Sequence, residues 1–297
     1  MKYLLALTLM VACAIANAQV SPDTLFNPIL YSPVYARGTG PEIHVDAAHN
    51  NYHTASDRFA PFSRVLQNDG YKISENKTPF NSSAMADIHL LVISNALNEI
   101  NLGNWSNPCP SAFTESEILV LKNWVSNGGK LLLIADHMPF SGAAQKLASA
   151  FGFDLCNCFA MDNRRRTAEL FMRSDSTLIP SELTDGGSAY QKVDSIFTFT
   201  GSAFKIPAEA IPIIKLKNYS LLSPSQAWQF TDDTPYEQSE NYFQAAALKF
   251  GKGKIVLMGE AAMFTAQLAG NQKIGMNSPN AKYNVQLLRN TISWLVK

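Results

Sequence analysis

Three histidines and three carboxylates follow short apolar runs in a pattern suited to acid–base or metal chemistry. One run, Glu42–Asp46, leads into Ala47-Ala48-His49-Asn50-Asn51-Tyr52-His53; a second, Lys130–Asp136, leads into His137; a third, Lys254–Glu260, ends on Gly259-Glu260. A histidine beside a carboxylate can titrate near neutral pH and work as a general acid or base. Imidazole with carboxylate is also the donor set of zinc, iron or manganese. Two expectations follow. In one, Asp46, His49, Asp136, His137 and Glu260 form an acid–base site. In the other, a divalent metal such as zinc is held by His49, His53, Asp136 and His137. The spacing His49-x-x-x-His53 would put both rings on one helical face, but Asn50-Asn51 is turn sequence, which weakens that argument. Singly, each residue has a plainer use: Asp46 and His49 can order a loop by bonding its backbone, and Asp136 can cap a helix. The combined reading rests on three strand ends agreeing.

Other groups add less. Ser141 follows Asp136-His137 at the start of a helix, but Phe140-Ser141-Gly142-Ala143 reads as a cap, and no Gly-x-Ser-x-Gly elbow is present. Arg164-Arg165-Arg166 suits an anionic substrate group or a solvated loop. Trp105, Trp228 and Tyr236 suit a sugar-stacking platform or ordinary packing. Beyond the leader there are three cysteines, Cys109, Cys156 and Cys158, too few for a disulfide scaffold. Cys109 could pair with either of the others, while the plainer reading of Cys156-x-Cys158 is a pair of small buried residues on one strand face.

The elements that must position these groups are those of an α/β protein. Apolar β-branched runs at Glu42–Asp46, Tyr71–Ser74, His89–Ser94, Lys130–Asp136 and Lys254–Glu260 alternate with helical patterns, the mark of a mostly parallel, Rossmann-like sheet with helices on both faces. Helices are expected over Asp57–Asn68, from the capping box Thr114-Glu115-Ser116-Glu117 to Gly128-Gly129, after Pro139, and over Ala281–Val296. In such a sheet all strands point their C-terminal ends at one edge, where ligands bind. Residues 169–250 read as a β-rich insertion, with short strands at Phe197-Thr198-Phe199, Ile211–Leu216, Trp228–Phe230 and Tyr242–Phe250. The long segment from Ala96 to Phe113 has the length of a functional loop.

Lys2, the apolar run Tyr3–Ile15 and Ala16-Asn17-Ala18 form a secretory leader with a cleavage site near Ala18; a lipid-attachment reading of Cys13 fits less well because Met10 replaces the usual Leu. The apolar run is shorter than the roughly 20 residues of a membrane span, and no later stretch replaces it. The expectation is one exported domain over residues 19–297, periplasmic or extracellular. Lys plus Arg equals Asp plus Glu at 24 each, so the chain lacks the broad basic field that nucleic acid requires.

Residues 45–54, 62–71, 123–140, 251–267 and 284–296 resemble the class I glutamine amidotransferase-like superfamily, in particular an exported bacterial branch of uncharacterised domains. The resemblance covers most of residues 40–296 apart from the β-rich middle, and it implies a flavodoxin-like sheet. True amidotransferases carry a nucleophilic cysteine on a tight turn after a strand; here that strand end carries Asp136-His137, which speaks against a cysteine-triad glutaminase. Relatives of the fold include sugar-pathway proteins and non-catalytic domains of glycosidases. The leading expectation is therefore an exported hydrolase-like enzyme acting on a carbohydrate or related small polar substrate; the alternative is a non-catalytic glycan- or ligand-binding module.

Overall fold

A computed structural model describes residues 20–164 and 169–297. The expected leader, Cys13, Arg165 and Arg166 lie outside the described residues. Five strands form the parallel part of the main sheet: β1 (Glu42–Asp46), β2 (Lys72–Asn76), β3 (Leu90–Ser94), β4 (Lys130–Ile134) and, far along the chain, β9 (Gly253–Met258). Between β4 and β9 the chain contributes β5 (Asp154–Leu155), β6 (Phe204–Lys205), β7 (Ile211–Lys215) and β8 (Phe243–Phe250). The order is β2-β1-β3-β4-β9-β8-β6-β5, with β7 also on β8. Neighbours from β2 to β9 are parallel, and β8 turns the sheet antiparallel.

The parallel strands are apolar on both faces because both are covered. Val45, Val92, Leu132, Ile134 and Val256 pack with helices α1 (Ala60–Asn68) and, at the C-terminal end of the chain, α4 (Asn284–Val296). Leu91, Ile93, Leu131, Leu133 and Leu257 pack with α2 (Glu115–Ser126) and α3 (Phe140–Ser149). The core of α2 is Ile118, Leu121 and Val125, one stripe at helical spacing. Its start is the expected capping box: Glu117 N–H donates to Thr114 Oγ1 at 3.3 Å, and Thr114 N–H donates to Glu117 Oε2 at 2.9 Å.

The region read as a β-rich insertion supplies β6, β7 and β8 to the main sheet, and smaller antiparallel sheets beside it. Phe159–Asp162, Tyr219–Leu222 and Tyr236–Gln238 form one; Glu169–Met172 pairs with Ser195–Thr198 in another. Trp228–Phe230, expected as a strand, is not one. Trp228 has φ +67°, a left-handed conformation that breaks any ladder. Cys156 and Cys158, read from the sequence as small buried residues, are joined by a disulfide, and Cys109 is free.

One close approach fixes how α1 hands over to β2. Gly70 has φ +95°, and a Cβ there would lie 2.3 Å from the Tyr35 carbonyl oxygen, so neither the conformation nor the space admits a side chain. Gly70→Ala should cost more than about 1 kcal/mol of stability in urea unfolding. A neutral effect would show that the Tyr35 segment does not press on this turn.

Candidate active site at the C-terminal edge of the sheet

The parallel register brings together what the sequence separates by 124 residues. Ile134 on β4 lies opposite Met258 on β9. Asp136 and Glu260 each stand two residues beyond that pair, so the two carboxylates leave adjacent strands at the same level. Glu260 is fully buried, whereas Asp136 keeps partial contact with solvent. Met263 N–H donates to Glu260 Oε2 at 2.6 Å and Phe199 N–H to its Oε1 at 3.4 Å. Asp136 Oδ1 accepts from His137 N–H at 2.8 Å and its Oδ2 from Ala261 N–H at 3.4 Å.

Burial, and then the neighbouring Asp136 charge, push the Glu260 carboxyl well above the ordinary range. Burial also raises Asp136, partly offset by His137 and by the N–H groups it accepts from. A buried carboxyl with a second carboxylate on the adjacent strand holds its proton more tightly than a free carboxyl does. Asn95, at the end of β3 with φ +49°, locks this strand end in place. Its N–H donates to Ile134 O, its Oδ1 accepts from Asp136 N–H at 2.9 Å, and its carbonyl accepts from Tyr52 N–H.

His137 is held by aromatic rings. It stacks on Phe159 at 4.4 Å with 13° between planes, meets Trp228 edge-on at 4.8 Å, and has Phe140 at 5.9 Å and Trp105 at 6.1 Å. Its Nδ1 lies 2.6 Å from Met138 O. A carbonyl only accepts, so Nδ1 carries the proton, and in the neutral ring Nε2 is left as the acceptor. The two tryptophans come from loops stitched together by backbone bonds: Ala227 N–H donates to Trp105 O at 2.7 Å and Asn107 N–H to Ser225 O at 2.8 Å. Tyr236, expected with them, sits on its small sheet, 66% exposed.

The other expected residues have different occupations. His49 Nδ1 lies 2.8 Å from Asp46 Oδ2 and its Nε2 2.9 Å from Glu117 Oε1, so both ring nitrogens are committed between two carboxylates. Its ring stacks on Phe80 at 4.4 Å. Burial opposes the imidazolium, but the bonds and charges of Asp46 and Glu117 outweigh it and raise the pKa above 6.5. Glu117, despite burial, is held down at about 2 by His49 and Thr114. His53 stacks on Phe59 at 4.6 Å with Nδ1 3.1 Å from Ser94 Oγ; burial, helped by the Arg58 charge, lowers its pKa to about 3, so it is neutral. Among the described residues no three His, Cys, Asp or Glu side chains are placed to hold a metal ion, and the set His49, His53, Asp136 and His137 is not gathered around one point. Ser141 is fully buried, and its hydroxyl donates to Asn157 Oδ1 at 3.3 Å.

Sequence reasoning missed Glu117 as a partner of His49, because its place in the capping box already accounted for it. It also missed Asn95 and Tyr52. The signal for Asn95 was an asparagine directly after a buried strand, where a left-handed residue is needed.

No family model matches this chain, and no curated protein matches it. Among solved structures, the N-terminal domain of mmIFT52 matches with a TM-score of 0.61 at 15% identity, over 86% of this chain and 97% of that one. A cytoplasmic protein from Salmonella typhimurium LT2 matches at 0.50 and 11% identity, over 87% and 100%. A ThuA-like protein from Bacteroides uniformis ATCC 8492 matches at 0.47 and 11%, over 91% and 94%. At these identities the likeness is one of fold alone.

Proposed function

We propose that this chain is an exported hydrolase-like enzyme acting on a carbohydrate or related small polar substrate at the edge formed by Asp136, His137 and Glu260. The observation that carries this reading is the carboxylate pair: Glu260 fully buried and Asp136 part-exposed, leaving adjacent strands at the same level, with both pKa values raised. A carboxyl that keeps its proton toward neutral pH is what a general acid needs. In this reading Asp136, the member in contact with solvent, delivers the pair's proton to the leaving oxygen as the scissile C–O bond breaks. Water adds its hydroxyl to the carbon, and its proton passes to His137 Nε2, from which it returns to the pair. Glu260 does not touch substrate; it is a positioning residue that tunes Asp136. Asp46 and His49 act at a distance, by fixing the loop that carries Tyr52 and His53.

A non-catalytic glycan-binding module is the second reading, favoured by the exposed rings of Trp228 (43%) and Phe230 (38%) beside His137 and Phe159. Turnover of a panel of 4-nitrophenyl glycosides by the wild type and Asp136→Asn decides between them. Hydrolysis that disappears in the variant supports the enzyme. Hydrolysis unchanged in the variant overturns the site, and binding without hydrolysis of any member supports the module.

A further inference from the structure

The aromatic rings at this edge form a row with a guanidinium at one end. Tyr52 meets Trp105 at 5.6 Å, Trp105 meets His137 at 6.1 Å, and His137 meets Trp228 at 4.8 Å. Within the row His137, directly after Asp136 in the chain, lies between Trp105 and Trp228. At the Tyr52 end the Arg58 guanidinium stacks over the Tyr52 ring, 4.1 Å from its centroid, and its charge reaches His53. Arg58 is one-third exposed, and its ion pair is a single 3.4 Å contact from Nη1 to Asp57, a residue mostly in solvent. A part-exposed guanidinium over an aromatic ring keeps N–H groups free for a ligand carboxylate, which it can take in two parallel hydrogen bonds.

Trp228 adds an independent point. A bulky residue at φ +67° is costly, and here the conformation presents an indole that is 43% exposed against His137 and Phe159. Sugar rings stack on such faces through their C–H groups, while neutral hydrophobic ligands have no use for the guanidinium. Resting on the site reading above, we infer that the substrate is an acidic glycan, a chain whose successive rings stack on Trp228 and Trp105 and in which the carboxylate of a uronate unit pairs with Arg58. Asp136, next to His137 in the row, then faces a glycosidic oxygen of the bound chain.

Isothermal titration of the full chain with trigalacturonate and with neutral galactotriose tests this apart from catalysis. The wild type should bind the acidic trimer more tightly than the neutral one. Trp228→Ala should weaken both by about tenfold, the effect of losing one well-packed ring. Arg58→Gln should weaken only the acidic trimer, by a similar factor, and Asp136→Asn should keep the preference for the acidic trimer. Equal binding of both trimers by the wild type, or no binding of either, overturns the inference. So does an Arg58→Gln variant that keeps the preference. Because the readout is affinity, a failure of Asp136 as the acid would leave these results standing, and the reverse also holds.

Discussion

Asp136→Asn should reduce hydrolysis by about 10²- to 10⁴-fold, the usual contribution of a placed general acid, with folding nearly unchanged. The amide keeps the acceptor oxygen that receives His137 N–H at 2.8 Å but cannot carry the transferable proton. Glu260→Gln should act differently, because that residue works through Asp136. An amide at position 260 takes the neighbouring like charge and one titrating carboxyl out of the pair, so the alkaline limb of the pH–rate profile, where the acid loses its proton, moves to lower pH. The two variants also differ in stability. A carboxyl whose folded pKa lies above its unfolded 4.5 stabilises the fold below pH 4.5, and that contribution is lost as pH rises through the folded value. The wild type should therefore lose stability over that range, and Glu260→Gln should flatten the loss. Stopped assays over pH 4–9 with parallel urea unfolding measure both. An unchanged rate in Asp136→Asn would remove it from the chemistry.

His49→Gln should be among the most destabilising single changes, by about 3–5 kcal/mol, because it strips a buried cation from between two buried carboxylates. Asp46 is fully buried and Glu117 nearly so, and they anchor the end of β1 and the start of α2 respectively. The pH dependence has two limbs. With its folded pKa raised above 6.5, His49 contributes fully below pH 6.5 and less as pH rises through the folded value. Glu117, depressed from 4.5 to about 2, contributes above pH 4.5 and loses that contribution as pH falls toward 2. The triad thus supports the fold most between about pH 4.5 and 6.5, and the variant should lose this maximum. Chemical unfolding across pH reads it directly. A variant as stable as the wild type would mean that the three side chains are not bound to one another in solution.

The parts of the fold that depend on local pattern were legible in the chain. Glu42–Asp46 has the expected bounds, the Thr114 capping box opens α2 as its residues dictate, and Leu131-Leu132-Leu133-Ile134 is buried on both faces as an uninterrupted apolar run should be. That Asp136 and Glu260 leave neighbouring strands at one level was legible too, because both stand just past strands that pair in parallel. What failed was whatever depends on contacts between distant loops. Trp228-Gln229-Phe230 has the composition of a strand, but bonds to the Trp105 loop hold it in a turn. The use of His49 could not be read either. Its second carboxylate comes from 68 residues away, and nothing in the sequence separates a histidine held between two acids from one free to move protons.

The raised pKa of the Glu260 carboxyl beside Asp136 is the point on which the site stands, and carbon-detected NMR titration of the Glu260 side-chain carboxyl reads it most directly. The expected midpoint lies above the ordinary 4.5 and falls toward it in Asp136→Asn. A midpoint at 4.5 in the wild type, or one that Asp136→Asn leaves in place, would contradict it.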